Sequence, residues 1–370
     1  MEFLSSDEAR KLVDTYVGRE EKIHSTQEIL DSGAVERLKG YKVKPGKVSD
    51  SILGGKFSYF DKSIGKKVEY ENPPLNTAEG LPLRIMVRTQ WVSTHDIRRG
   101  EIPFKNQILA ANHEYMRKML SEVLGTSQFE VGLPNNSIVI AAENLTQIAF
   151  ENVLRLYMAK SSTSTSLYQH YINGKRYFAG HFLPDNLIAN GKLPYLMDTP
   201  STKSDEHDES VSPEILFHNG VCTPKQYIQI RNNSFLAFGM VSQFLREKGI
   251  IAADTKTEHG INKKGEIVVQ DEIWTMDSSR FWLINDYNEQ LEKLARREIK
   301  ELNPKSYSKE FARGFSKGEE CYSDEQRAMI AVRYIEGIQH LLGRGFEPDM
   351  RSNDEKVISG IETVLDQLGV

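Results

Sequence analysis

Residues 249–282 constrain the fold of this chain more than any other stretch, because apolar runs, a turn and charged residues follow one another there in a fixed order. Two apolar runs, residues 250–253 and 267–269, flank a glycine- and lysine-containing turn at residues 261–265. Runs of this kind that are joined through a short turn are typical of a β-hairpin. The sequence therefore predicts a hairpin whose first strand continues beyond Ala253 into a charged segment.

The charges on this first strand are expected to form a row. Alternate residues of a strand share one face, so Asp254, Lys256 and Glu258 should lie side by side. Burying charge is costly unless the charge is paired or coordinated, so such a row would fill a core poorly. The returning segment adds Asp271, Glu272, Asp277, Ser278, Ser279 and Arg280. Acids that can hold a divalent cation, next to lysine and arginine that can hold phosphate or carboxylate, indicate phosphoryl chemistry.

Length and composition describe an ordinary globular protein. The chain has 370 residues, of which 39% are hydrophobic and 27% charged, which predicts one large or two moderate domains. The net charge of −5 argues against a nucleic-acid partner, and no apolar run approaches the ~18 residues that span a bilayer. The polar N-terminus lacks the apolar core of a signal peptide, and two cysteines are too few for a disulfide framework. We therefore expect a cytoplasmic protein, and the oligomeric state is left open.

The distribution of apolar residues and of Gly, Pro and Asp along the chain predicts three regions. Residues 1–40 show scattered apolar positions and are expected to form a helical N-terminal extension. Residues 41–143 contain short extended runs separated by Gly, Pro and Asp, which indicates a β-rich lobe. An apolar strand at residues 137–141 should cross into a second, α/β lobe formed by residues 144–370.

Two capping boxes predict long helices in the second lobe. Thr223 is followed by proline and, three positions on, by Gln226, so a helix should begin there and end near Lys248. Ser323 and Gln326 form the second box, and that helix should end near Gly343. Both helices are expected to serve packing.

A glycine turn in the first lobe is a candidate phosphate cradle. Residues 45–50 read PGKVSD, and a turn of this kind can bring backbone amides and the Lys47 ammonium close to phosphate. On this motif alone, an ordinary hairpin turn is the alternative.

Three segments in order resemble one enzyme family. Residues 254–260 read DTKTEHG, residues 271–272 read DE and residues 277–282 read DSSRFW. This order and spacing is similar to that of phosphoribosylaminoimidazole-succinocarboxamide synthase (SAICAR synthetase), an enzyme family of purine biosynthesis. The resemblance covers roughly residues 41–345 and is strongest over residues 199–282.

Weaker matches surround these segments, and two of them depart from the family pattern. The matching residues are Gly46, Lys47, Val48 and Asp50 in a GKVRD-like segment, Glu151, Arg155, Tyr157 and Ser161 further on, and residues 199–203 and 206–209 in a TPSTK…EHDE loop. Ser49 stands where the family has arginine. Gln90 and Trp91 replace an Asp-Arg pair in a loop expected to border the substrate.

The resemblance implies an α+β fold of two lobes, a β-rich N-terminal lobe and a larger α/β C-terminal lobe, with ATP in the cleft between them. It implies condensation of carboxyaminoimidazole ribotide with L-aspartate to give the succinocarboxamide, ADP and phosphate. An unactivated carboxylate does not condense with an amine at neutral pH, because oxide is too poor a leaving group. ATP can convert the carboxylate into an acyl phosphate, which requires a phosphate cradle, acids for Mg²⁺ and cations for the anionic substrates.

The resemblance and this chemistry together suggest roles for named residues. Candidate ATP-binding residues are Gly46, Lys47, Val48, Glu143, Glu258 and Asp271. Candidate magnesium ligands are Glu258 and Asp271, with Glu272 as a further acid. Candidate substrate-binding residues are Arg155, Ser161, Lys203, His207, Asp208, Ser279 and Arg280. Candidate catalytic residues are Asp254, Lys256 and Arg280, where Asp254 either accepts a proton from the amine or orients Lys256.

Other interpretations remain at this stage. In one interpretation the charges have no function and form ordinary surface ion pairs on an exposed hairpin, since charged residues are mostly exposed. Ser49 and Gln90-Trp91 leave room for a ligase that acts on another carboxylate, or for a non-catalytic protein that binds nucleotide or ribotide. A zinc hydrolase is disfavoured, because only His207 and His259 lie near acids and no HExxH motif is present.

Overall fold

The computed structural model describes residues 2–17, 23–61, 64–94, 97–163, 165–203, 208–318 and 320–370. Helices α1 to α10 span Ser6–Val17, Thr26–Asp31, Lys105–Met119, Leu167–Ile172, Pro213–His218, Pro224–Glu247, Ile284–Ala295, Glu310–Arg313, Asp324–Leu342 and Asn353–Leu368. Strands β1 to β15 span Ser49–Leu53, Gly55–Asp61, Lys66–Asn72, Leu83–Arg88, Trp91–Thr94, Ile97–Glu101, Val139–Glu143, Thr146–Tyr157, Tyr177–Phe178, His181–Phe182, Lys192–Asp198, Ser201–Thr202, Ile250–Ile261, Ile267–Val269 and Ser279–Leu283. None of the described helices is long and apolar enough to cross a membrane.

The larger sheet is organised around β13. Its strands run in the order β11-β8-β13-β14, with β15 also beside β13 and β12 also beside β8, and all the pairings are antiparallel. The predicted hairpin is confirmed, since Ile261 pairs with Ile267 and the chain reverses over residues 262–266. The apolar run at residues 250–253 differs from the expectation, because it pairs with β15 rather than with β14. At twelve residues, β13 is long enough to take two successive partners along one edge.

Helix α6 supports the reverse face of this sheet. The predicted capping box is present, because the Thr223 side chain accepts from the backbone of Gln226 and the Gln226 side chain accepts from the backbone of Thr223. The chain then turns at Gly249, whose positive φ of 70° suits glycine, and enters β13. The other predicted helix is α9, which the Ser323 capping box begins and Gly343 ends. The start of β13 is therefore fixed by the end of α6.

A smaller sheet of order β1-β4-β7 lies earlier in the chain. One of its faces packs against α2 and α10 in a core that includes Ile52, Ile85 and Ile361. The other face carries a small apolar cluster of Met86, Ile140 and Ala142. The α+β fold class is thus as expected, and the C-terminal helix returns to pack on the N-terminal sheet.

Candidate active site

A row of charged side chains lies on one face of β13, as the alternation of strand residues predicts. In the sheet register, Asp254 pairs with Arg155 of β8 on one side and with Arg280 of β15 on the other. The Arg280 Nη1 donates to Asp254 Oδ2, and the Arg155 Nη1 lies 3.4 Å from the same oxygen. Asp254 is only 4% exposed, so this carboxylate is a buried junction between two guanidinium groups.

The two arginines carry more positive charge than Asp254 alone can balance. Burial by itself would lower the pKa of Arg280, but Asp254 and Glu310 raise it above its ordinary value. Glu310 Oε1 lies 3.4 Å from Arg280 Nε, which makes no hydrogen bond to any described residue. Arg155 Nε donates to Thr199 Oγ1 at 3.0 Å. Two largely buried guanidinium groups with unused hydrogen-bonding capacity form a place where an oxyanion can bind.

Lys256, the next member of the row, is held by carboxylates. Its Nζ lies 2.6 Å from Glu151 Oε1 and 3.2 Å from Glu258 Oε1. Burial would lower the pKa of Lys256, but Glu258 and Glu151 together raise it well above its usual range. The ammonium is therefore charged at neutral pH, and its side chain remains 38% exposed.

Glu258 is shared between two lysines. Its Oε2 accepts from Lys203 Nζ, while Oε1 faces Lys256. Burial would raise the pKa of Glu258, but Lys256 and Lys203 lower it below its ordinary value. Glu258 contacts two ammonium groups, so its carboxylate is a site with affinity for cations.

Two further acids, Asp271 and Glu272, follow a backbone contact with Glu258. The backbone of Gln270 donates to the Glu258 carbonyl at 3.0 Å, which fixes the start of the Asp271-Glu272 segment. Asp271 contributes to raising the pKa of Lys256, so it lies within electrostatic reach of the row. The pKa of Glu272 is raised, chiefly because the group is buried.

The donor set fits Mg²⁺ better than zinc. Within the described residues, no group of three or more His, Cys, Asp or Glu side chains gathers as a metal cage. Mg²⁺ does not need one, because it keeps several waters and binds through one or two carboxylates plus substrate phosphates. Glu258 and Asp271 were predicted as such a pair, and both lie within electrostatic reach of Lys256. His259 points away from the row, and burial lowers its pKa to about 4, so it is a neutral packing residue.

The glycine turn is connected to these acids through β4. Gly46 is required in the turn, because a Cβ there would lie 2.0 Å from the Ser49 carbonyl oxygen. The Val48 carbonyl accepts from the backbone of Thr89 at 2.8 Å. Arg88, the residue before Thr89 and the last residue of β4, has its Nη1 3.8 Å from Glu272 Oε2. Lys47 is exposed at the tip of the turn.

The loop that departs from the family pattern contacts the N-terminal extension. Gln90 Nε2 donates to the Tyr16 hydroxyl at 2.7 Å, and the Arg98 guanidinium lies 5.6 Å from the centre of the Trp91 ring. A cavity of about 520 Å³ adjoins this loop and the glycine turn, and its lining includes Pro45. A neutral hydrogen bond and a cation–π contact thus stand where an acidic and a basic side chain were expected.

Three other predicted site residues lie in different places relative to the row. Ser161 belongs to a loop that reaches Arg155 through the Thr165 carbonyl, 3.4 Å from Arg155 Nη2. Glu143 accepts from the backbone of Lys263 at 2.5 Å, where the two sheets meet. Ser279 instead bonds Thr255 on the reverse face, with 2.8 Å between the hydroxyl oxygens.

The remaining predictions concern the loop after β12. Lys203 reaches Glu258, as described above. Asp208 is half-buried at the end of this loop. His207 lies outside the described residues, so its place in the site stays a prediction.

Three residues to which the sequence assigned no role in the site complete the arrangement. Glu151, which the sequence matched to the family pattern, pairs with Lys256 across the sheet. Glu310 contacts Arg280 and accepts from Trp282 Nε1, and Arg88 approaches Glu272. The sequence holds a signal for Glu151, which matches the family pattern, and for Glu310, which lies in a stretch (residues 306–311) that is similar to the family's Tyr-Asp-Lys-Gln-Phe run.

Comparisons with known proteins agree with this geometry. A family model described as SAICAR synthetase matches residues 78–328. The chain is 32% identical over 298 residues to a putative phosphoribosylaminoimidazole-succinocarboxamide synthase 2 from Mesorhizobium japonicum, covering 77% of this chain and 88% of that protein. It is 34% identical over 296 residues to a phosphoribosylaminoimidazole-succinocarboxamide synthase from Cytophaga hutchinsonii, covering 76% and 90%.

Solved structures show the same fold. A SAICAR synthase from Saccharomyces cerevisiae in complex with SAICAR aligns with a TM-score of 0.63 at 21% identity, covering 84% of this chain and 98% of that one. A SAICAR synthetase in complex with ADP aligns with a TM-score of 0.57 at 20% identity, covering 84% and 100%. The row of charges, the fold and these matches lead to one conclusion: the chain belongs to the SAICAR synthetase family.

Proposed function

We propose that this protein is an ATP-dependent ligase that condenses carboxyaminoimidazole ribotide with L-aspartate, through an acyl phosphate, to give SAICAR, ADP and phosphate in purine biosynthesis. The observation that carries the proposal is the convergence of Arg155 and Arg280 on Asp254, directly beside the Lys256–Glu258 pair. This one row offers cations for two anionic substrates and acids for a metal ion. Membership of the family supports the same reaction.

The arginine end of the row binds the ribotide. Arg155 and Arg280 keep hydrogen-bonding capacity that Asp254 does not use, and the ribotide phosphate accepts from it. The planar guanidinium of Arg280 suits two-point contact with an oxyanion. Because Asp254 already contacts both arginines, we assign it to hold them in place rather than to accept the proton of the amine. Ser161, Lys203, His207 and Asp208 are proposed as further substrate contacts.

The lysine end of the row serves phosphoryl transfer. Lys256 is held charged by its carboxylate neighbours, so it can neutralise the ribotide carboxylate and the incoming phosphoryl group. The glycine turn, with Gly46, Lys47 and Val48, approaches the nucleotide phosphates from the other lobe, and Glu143 borders the nucleotide.

Glu258 and Asp271 would hold Mg²⁺, with Glu272 behind them. When bound, the ion supplies charge stabilisation for phosphoryl transfer. Glu258 now contacts Lys203 and Lys256, so binding of a cation there requires Lys203 to give up its contact with Oε2.

A cytoplasmic location is part of the proposal, since Cys222 and Cys321 are both free thiols.

The test is an assay of ADP release with ATP, Mg²⁺, the ribotide and L-aspartate, with formation of the ligated product measured in parallel. We expect turnover that needs all four components, and succinate, which lacks the amine, should not replace L-aspartate. Turnover only with a different carboxylate or amine would assign the site to another ligation. Binding of nucleotide without any turnover would contradict an enzymatic role.

A further inference from the structure

The N-terminal extension contacts residues 89–91, the loop that departs from the family pattern, and the proposed ligase chemistry does not use this contact. We call these three residues the Gln90 loop. Tyr16, near the end of α1, accepts a hydrogen bond from Gln90 Nε2 at 2.7 Å. The Tyr16 ring also packs on Phe104, with 4.8 Å between the ring centres. The family model matches residues 78–328, so Tyr16 belongs to a part of the chain that the family model does not match.

Helix α1 is anchored on α9 by contacts other than those of Tyr16. Val13 is fully buried in the main core of the protein, together with residues of α9. The Arg10 guanidinium donates two hydrogen bonds to the Glu325 carboxylate, at 2.8 and 2.6 Å, and this two-point geometry fixes the direction of the helix. The Tyr16 side chain is therefore a fixed point for the residues that it contacts.

Through Gln90, Tyr16 holds the end of β4. Gln90 is only 4% exposed, and its Oε1 accepts no hydrogen bond from any described residue, so the bond to Tyr16 is what satisfies this buried amide. Leaving a buried amide without a partner is costly, so loss of the hydroxyl should make the loop shift. Just before Gln90, the backbone of Thr89 donates to the glycine turn and Arg88 approaches Glu272. A shift of the loop would move both contacts.

Through Phe104, Tyr16 supports the start of α3. Phe104 is the N-cap of this helix, and its φ of 61° lies in the left-handed region, which an aromatic residue rarely adopts. Such a conformation persists only where the surroundings hold it, and the Tyr16 ring is one of the groups that pack against it. The next residue, Lys105, is buried and places Nζ 2.8 Å from Asp277 Oδ2. A rotation of Phe104 would therefore move the cation that pairs with Asp277, three residues before Arg280.

We propose that Tyr16 is a positioning residue of the ligase: it holds the Gln90 loop and the start of α3, and thereby sets where the glycine turn stands relative to the acids beside the charged row. The role rests on the proposed function, because it concerns the reaction of that site. Gln90 and Trp91 stand where the family pattern has an Asp-Arg pair, so the loop lacks those charges here. The extension supplies the loop with a polar partner instead.

Tyr16→Phe tests the role, because it removes the hydroxyl and keeps the ring on Phe104. Movement of the glycine turn concerns ATP rather than the ribotide. The KM for ATP should therefore rise about tenfold, the order expected from one lost hydrogen bond in a buried setting, while the KM for the ribotide stays within about twofold. Steady-state ADP release measures both. A lower kcat with both KM values unchanged is the result that loss of folded enzyme would give, and it would overturn the proposal.

Tyr115→Phe is the matched control. The Tyr115 ring also packs on a phenylalanine, Phe244, with 5.4 Å between the ring centres, but its hydroxyl makes no hydrogen bond to any residue that the structure describes. Both KM values should therefore stay at the wild-type level in this variant. Equal changes in Tyr16→Phe and Tyr115→Phe would overturn the role of the Tyr16 hydroxyl.

A double-mutant cycle with Gln90→Leu tests the path through the hydrogen bond. Each single substitution breaks the same bond, so each should raise the KM for ATP, and the double variant should lose no more than Gln90→Leu alone. Multiplied losses in the double variant would show that Tyr16 and Gln90 act independently and would overturn the proposal.

A measurement without substrates separates this proposal from the proposed function. Trp91 lies in the Gln90 loop and is half-buried, whereas the other two tryptophans, Trp274 and Trp282, are 1% and 0% exposed. Acrylamide quenching of the intrinsic fluorescence therefore reports on Trp91, and it should increase in Tyr16→Phe but not in the control. Unchanged quenching would overturn the hold of Tyr16 on the loop. Increased quenching in a protein that does not ligate the ribotide would overturn the proposed function and support that hold.

Discussion

The two faces of β13 differ in what holds their polar groups. On the charged face, Asp254, Lys256 and Glu258 contact arginine, lysine and glutamate side chains from three other segments. On the reverse face, Thr255 bonds Ser279, while Thr257 bonds Asn152 beneath α6. One strand therefore supports a set of ionic side chains on one side and a neutral, packed interface on the other.

The difference separates function from stability along a single strand. Buried ion pairs stabilise little compared with well-packed apolar groups, because desolvation of the charges offsets their attraction. A charged face is thus kept for binding and chemistry, and the neutral face anchors the strand to α6. Substitutions on the charged face should change kinetics, whereas substitutions on the reverse face should change the free energy of unfolding.

The largest expected effect is on the charged face. Lys256→Met keeps most of the side-chain volume but removes the ammonium, so turnover should fall by about a thousandfold, the order expected when one preorganised charge is lost from a transition state. Steady-state ADP release measures the rate. The matched control is Thr257→Val, one residue along on the reverse face, which should keep turnover within about threefold. A similar loss in both variants would remove the distinction between the faces.

Arg280→Lys should have the next largest effect. Lysine keeps the positive charge near Asp254 but cannot make two parallel contacts with an oxyanion. The KM for the ribotide should rise by at least about tenfold, which corresponds to one lost charge-assisted hydrogen bond, while the KM for ATP changes little. Equal increases in both KM values would show that Arg280 acts on the whole site rather than on the ribotide.

On the reverse face, Asn152→Ala should lower stability and spare activity. Its Nδ2 donates to Ser234 Oγ at 2.8 Å and lies 3.3 Å from Thr257 Oγ1 in a buried layer. Loss of these bonds and of buried volume should lower the free energy of unfolding by about 2 kcal/mol. Urea denaturation measures the change. An unchanged midpoint together with a large loss of turnover would contradict the role assigned to this face.

The smallest effect is a dependence of stability on pH through His259. Burial lowers its pKa from 6.5 to about 4, so between these values the unfolded chain binds the proton and the folded chain does not. Stability therefore falls as the pH falls through this window, by up to about 2 kcal/mol between pH 7 and pH 5. His259→Leu should reduce this loss in urea denaturation at the two pH values. An equal acid-induced loss in the variant and the wild type would show that His259 is not the group responsible.

The hairpin, the long capped helices and the row of charges could be predicted because each follows from a local pattern. The alternation of residues 254–258 is enough to place three side chains on one face. The partners of that row could not be predicted in the same way, since Glu151 reaches Lys256 only through the pairing of β8 with β13, and the two lie 105 positions apart.

Contacts between sheets were the least predictable. The approach of Arg88 to Glu272 depends on how the two sheets meet, which no periodicity in either segment encodes. The position of Ser279 is instructive as well. The sequence assigned both Ser279 and Arg280 to the substrate, but adjacent strand residues alternate, so Arg280 faces Asp254 and Ser279 faces Thr255.

The most direct test of the central claim is a crystal structure of the protein with a non-hydrolysable ATP analogue, Mg²⁺ and the ribotide. We predict that the ribotide phosphate contacts Arg155 and Arg280 and that the nucleotide phosphates lie between the glycine turn and Lys256. Ligands bound away from the charged face of β13, with that face open to bulk solvent, would contradict the account.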